Sequence, residues 1–164
     1  MRIINQHYIN SDFVDSIGKD VADLINPSTQ EIIGQVVLGD EEDTQRAITA
    51  AKQAFKSYAQ STPEQRAEYL QRLHDAIVDR LDDHIEALVK EYGAPIQTAQ
   101  YLVQGAAGVI LSTKEALQNM AFKEMVGDTE VSLHPVGVAG HITPWNANIM
   151  YFCNKTASAL AAVS

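Results

Sequence analysis

Asn146 closes the run Thr143-Pro144-Trp145-Asn146, which follows the small apolar stretch Val136-Gly137-Val138-Ala139-Gly140-His141-Ile142. An asparagine amide offers two N–H donors and one carbonyl acceptor. Held rigidly at a strand end, such a neutral donor stabilises negative charge developing on an oxygen atom. Trp145 beside it offers a flat apolar wall for a ring. The competing reading is structural: asparagines in turns commonly satisfy only the local backbone, and spacing alone does not separate the two. Cys153, the one cysteine, lies in an apolar helix-compatible stretch, where the simpler role is that of a buried small hydrophobe. The five histidines are scattered. None pairs with a serine or cysteine in a way that suggests a triad, and no Cys/His cluster has zinc spacing.

The elements around Asn146 have to place it. Residues 136–142 are almost continuously small and apolar, as suits a strand buried on both faces of a parallel sheet. Ligands bind beyond the carboxyl ends of such strands, which is where residues 143–146 would sit. Met150 to Ala162 is expected to be helical. Upstream, Thr129 to His134 alternates polar and apolar residues, as a half-exposed strand does.

The first forty residues read as β, with a tight hairpin over Tyr8–Val14, a turn at Asn26-Pro27-Ser28 and a strand from Glu31 to Leu38. Asp40 is a candidate N-cap, with Glu41, Glu42 and Asp43 where the helix dipole favours negative charge. Thr62, Pro63 and Gln65 have the spacing of a capping box with proline at the first helical position. The stripe Leu70, Leu73, Ile77, Leu81, Ile85, Leu88 predicts a long helix, with a break near Asp82-Asp83, stopped by Gly93. A third helix from Pro95 to about Met120 carries Gly105, Ala106, Ala107 and Gly108, small enough for another element to approach closely.

The chain has 164 residues, 46% hydrophobic and 20% charged, with a net charge of −9. This suffices for one compact domain. An acidic surface repels phosphate backbones and anionic lipid heads, so neither nucleic acid nor a membrane is expected as a partner. One cysteine forms no internal disulfide, and the start lacks the apolar stretch of a secretion signal. A cytoplasmic protein with a reduced thiol is expected.

The run Pro135 to Asn146, followed by Lys155 and Ala157-Ser158-Ala159-Leu160-Ala161-Ala162, resembles the NAD(P)-dependent aldehyde dehydrogenase superfamily. Asn26-Pro27-Ser28-Thr29 with Ile33-Gly34, Ala50-Ala51-Lys52-Gln53-Ala54-Phe55, Arg66 with Leu70, and Glu91-Tyr92-Gly93-Ala94-Pro95-Ile96 fall in the family's order. The resemblance covers nearly the whole chain. It implies an α/β fold corresponding to a truncated N-terminal part of that architecture: β-rich over 1–40, helical over 41–122, a candidate oligomerisation strand at 129–135, and the first strand–turn–helix of a Rossmann-like cofactor domain over 136–164, with no catalytic domain.

The resemblance also implies roles. Asn146 matches the family's oxyanion-hole asparagine, which stabilises a thiohemiacetal formed by a cysteine thiolate while hydride passes to NAD or NADP. Ile142, Thr143, Pro144 and Trp145 match the segment lining the dinucleotide site. Lys155 matches a helix lysine near the active site, with a solvated or capping charge as its alternative. Tyr151 and Asn154 fall where the family lines its substrate tunnel, although the family often has larger apolar or aromatic groups there. The implied substrate is a small-molecule aldehyde, and the implied assembly of the full-length form a homodimer or homotetramer. The family's nucleophilic cysteine, general-base glutamate and Gly-rich pyrophosphate segment have no counterpart in the chain, so it is expected to be inactive alone. Its unpaired strand is expected to leave it poorly folded or self-associating. Two other readings remain at this point: a non-catalytic helical interaction module, and a CoA-acylating semialdehyde dehydrogenase.

Overall fold

A computed structural model describes residues 2–163. The amino-terminal part is β. Strands β1 (Arg2–Ile4), β4 (Val21–Ile25) and β5 (Ile32–Val37) form a sheet in the order β1-β5-β4, with β1 parallel and β4 antiparallel to β5. Between them, β2 (Gln6–Ile9) and β3 (Asp12–Asp15) make the expected hairpin. Its turn residues Asn10 and Ser11 have φ of 54° and 65°, the doubly left-handed conformation that matches strand twist. The β4–β5 turn is built by Asn26, whose side-chain oxygen accepts from the Ser28 and Thr29 amides.

The predicted N-cap at Asp40 and capping box at Thr62 both form, and the first proves to be a capping box as well. Helix α1 (Glu41–Tyr58) starts with Asp40 and Asp43 reciprocally bonded, and α2 (Pro63–Val78) with Thr62 and Gln65. The apolar stripe that follows does break, but at Asp79–Arg80, three residues before the expected place. Arg80 leaves the helical region (φ −119°, ψ 27°). Asp82 and Asp83 then occupy the first turn of α3 (Leu81–Ala87), where the dipole favours them. A π-helical turn over Leu88–Tyr92 ends at Gly93, in the left-handed region at φ 78°. Glycine is doubly required there, because an added Cβ would lie 2.5 Å from Pro27 Cγ.

Helix α4 (Ile96–Gln118) is the central rod. Ala67 and Leu70 from α2, Ala106 and Ile110 from α4, and Cys153 and Ala157 from α5 (Asn148–Ala162) form the main core. Leu88, Ala94, Ala99 and Val103 form a second. The close approach expected at the small residues of α4 is real at Gly105, where a Cβ would meet Met150 Cε at 2.5 Å, but Gly108 faces open space. Strand β6 (Lys123–Val126) pairs antiparallel with β7 (Thr129–Ser132) in a hairpin. Only the second strand is legible in the sequence, because β6 is exposed at every position and carries no alternation.

The buried strand expected over 136–142 is not formed. Residues 133–142 join no ladder, and Val136 and Ile142 are 91% and 89% exposed. A strand exists only by pairing with a neighbour, and none of the described residues supplies one. Among the described residues no helix is long and apolar enough to cross a membrane.

Candidate functional site

Ala147 ends the segment that carries the candidate residues, turning the chain into α5 through a left-handed conformation (φ 49°), and no side chain caps the helix. Asn146 lies half-buried just ahead of it. Its side chain makes no hydrogen bond among the described residues, so both amide donors stay available. Lys155, almost two turns into α5, reaches back and donates to the Ile142 carbonyl at 2.6 Å. That bond ties the start of the segment to the helix at its end.

Trp145 is 80% exposed and meets Tyr92 edge-on, with ring centroids 5.7 Å apart at 63°. Together they wall an open cleft of about 650 Å³. Its other sides come from Leu24 and Pro27 of the amino-terminal sheet, from His84 and Leu88, from Thr143, and from Ile149 and Phe152 of α5. Burial, helped by the Arg80 charge, pushes the His84 pKa below its usual range, so the imidazole in the cleft is neutral at neutral pH. Glu91 and Asn148 also line the cleft, and a mainly apolar, aromatic cleft with a carboxylate in its lining suits a flat ring more than a phosphate.

The structure therefore brings together part of the sequence-derived set. Thr143 and Trp145 line the cleft, with Asn146 adjacent in the chain, and Lys155 is bonded to Ile142. Ile142 and Pro144 are exposed and do not line it. Tyr151 and Asn154 are exposed on another face of α5 and line none of the clefts described. Tyr92 and Phe152 were missed. The signal for Phe152 is its four-residue step from Asn148, which puts both on the cleft face. Tyr92 carries no local signal, since a π turn and a left-handed glycine place it.

Cys153 is fully buried in the main core, and burial pushes its thiol up to about 11. It is neither accessible nor ionised at neutral pH, as its reading as a core hydrophobe requires. Among the described residues no cluster of three or more His, Cys, Asp or Glu side chains could hold a metal ion.

The sequence model of the aldehyde dehydrogenase family matches residues 13–163. A 3-succinoylsemialdehyde-pyridine dehydrogenase from a Pseudomonas species is 36% identical over 99% of this chain and 34% of its own. The crystal structure of an aldehyde dehydrogenase from Bartonella henselae superposes with a TM-score of 0.95 at 27% identity, over 99% of this chain and 35% of that one. A mutant aldehyde dehydrogenase C from Pseudomonas syringae, complexed with NAD+ and octanal, gives a TM-score of 0.93 at 31% identity, over 97% of this chain and 33% of that one. The chain spans about a third of the length of the relatives it matches.

Proposed function

This chain belongs to the aldehyde dehydrogenase family, and on that premise we propose that it supplies the oxyanion-binding amide and one cofactor-facing wall of an enzyme oxidising an aldehyde to a carboxylic acid with NAD+ or NADP+. The observation that carries this reading is Asn146: a half-buried amide with no protein partner among the described residues, at the turn between the aromatic cleft wall and α5. When a thiolate attacks an aldehyde carbon, the carbonyl oxygen becomes an oxyanion. A neutral N–H donor already in place stabilises that charge without reorganising.

The thiolate itself does not come from this chain. Its only cysteine is core, with a thiol held in the neutral form. The dinucleotide, when bound, accepts the hydride. What the chain offers it is a surface: the open indole of Trp145, braced by Tyr92, and the Thr143 side chain in the same cleft. These fit one apolar wall of a ring site. Lys155 serves that wall by holding the Ile142 carbonyl, which fixes the segment's entry relative to α5. Tyr151 and Asn154, on their own face of the helix, are proposed to meet the aldehyde's chain. The β6–β7 hairpin, with open edges, is proposed as the surface through which subunits of a dimer or tetramer join.

The test is Asn146→Ala in the full-length polypeptide. Removing one oxyanion donor costs about 3 kcal/mol of transition-state stabilisation, on the order of a hundredfold in kcat. Dinucleotide affinity, followed by Trp145 fluorescence, should stay unchanged. An undiminished kcat would end the reading.

A further inference from the structure

An α-helix ends with four backbone carbonyls that have no partner inside it. In α5, two of these are met by side chains from distant helices. Tyr58, the last residue of α1, donates its hydroxyl to the Leu160 carbonyl at 2.9 Å. Arg66, in the first turn of α2, donates Nη1 to the Ala161 carbonyl. Arg66 is 4% exposed, and its guanidinium lies 4.7 Å over the Phe122 ring. A buried cation is thus fixed at the negative end of the helix dipole. Burial raises the Tyr58 pKa above its usual range, so the hydroxyl keeps its donor proton at neutral pH.

At the other end of α5, Lys155 holds the Ile142 carbonyl and Met150 packs against Gly105, but among the described residues no side chain from a distant helix hydrogen-bonds its first-turn backbone. No side chain caps it, and Asn146 stands just beyond it. Sideways, the helix is held by Cys153 and Ala157 packed among Ala106, Ala107 and Ile110, with Ile149, Met150 and Leu160 packed against the same core. Displacement along the axis is resisted where hydrogen bonds point along it, at Leu160 and Ala161. Helix α5 has 15 residues and is stiff over its roughly 22 Å, so what is fixed at one end is fixed at the other.

Resting on the assignment of Asn146 as the oxyanion donor, we propose that Tyr58 and Arg66 are positioning residues for that amide, acting through the length of α5. They touch neither the cleft nor the site of reaction. Their contribution is geometric, because a misplacement of about 1 Å costs on the order of a hundredfold in rate.

Kinetics of the full-length polypeptide decide this with Tyr58→Phe, Arg66→Met, Asn146→Ala and the two double variants that include Asn146→Ala. Tyr58→Phe removes one oxygen and leaves the ring packed, so it remains informative if Arg66→Met does not fold. The expected result for Tyr58→Phe is a kcat about tenfold lower with the aldehyde KM unchanged, the pattern of an interaction made only in the transition state. On the Asn146→Ala background the same substitution should cost nothing further. Additive losses in the double variant, a change confined to KM, or an unchanged kcat in Tyr58→Phe beside a crippled Asn146→Ala would each overturn the proposal. An unchanged kcat in Asn146→Ala itself would remove the assignment of Asn146, and this proposal with it.

Discussion

Asp43 shows how much one carboxylate can hold together. From the sequence it is one of three acids on the first turn of α1, placed there for the dipole. In the fold it is buried and accepts hydrogen bonds from the amides of Ile17, Gly18 and Asp40 and from the Ser16 hydroxyl, beside Arg46. Burial by itself would raise its pKa. The Gly18, Ile17 and Asp40 amides and the Ser16 hydroxyl outweigh this and hold it well below the usual 3.8. A depressed carboxylate contributes stability that is present above its unfolded pKa and lost as pH falls through the folded one. Asp43→Asn should therefore lower the Tm at pH 7, and the difference from wild type should shrink below pH 3.8; equal melting of the two at pH 7 would contradict this. Cys153 gives a second check. With its thiol near 11, about one molecule in a thousand is thiolate at pH 8. An aromatic disulfide reagent should modify the native chain far more slowly than the denatured one, and equal rates would contradict the burial. That Cys153 is core was legible from its apolar neighbours. That Asp43 binds the Ser16–Gly18 strap was not, since its partners lie 25 to 27 residues away.

Element boundaries set by local chemistry were the most readable. Asp40, Thr62 and Pro63 each act within four residues of themselves and Gly93 bonds back to Leu88, and each does in the structure what its type predicts. Thr62→Ala should cost about 1 kcal/mol by removing the acceptor for the Gln65 amide. A denaturant midpoint indistinguishable from wild type would show that α2 is held by packing alone. Elements that need a distant partner were read less well. β1 has three residues and exists by pairing with β5, some thirty positions on. β6 follows from β7. The 136–142 stretch has the composition of a buried strand but no strand partner among the described residues, and runs as an exposed, unpaired segment.

The whole molecule carries that unpaired segment as its main exposed liability. Val136 and Ile142 lie open along it, with Leu133 and Trp145 on either side, and the β6–β7 hairpin adds Met125, Val126 and Val131. Exposed apolar side chains beside unpaired backbone groups favour association. The 164-residue chain should show a mass that rises with concentration in sedimentation equilibrium, and Ile142→Lys should reduce the rise. A strictly monomeric chain over a hundredfold concentration range would contradict this.

The amino-acid sequence by itself determined the helix caps, the hairpin and turn signals, the identity of the core cysteine and the order of motifs that places the chain in its family. All of these are carried by residues acting on near neighbours or by patterns read in order. Only the tertiary structure decided that Tyr92 and Trp145 share a cleft wall, that Tyr58 and Arg66 hold the far end of α5, and that residues 136–142 stay unpaired. Contacts between residues many tens of positions apart depend on how helices and strands pack, and no local spacing encodes them.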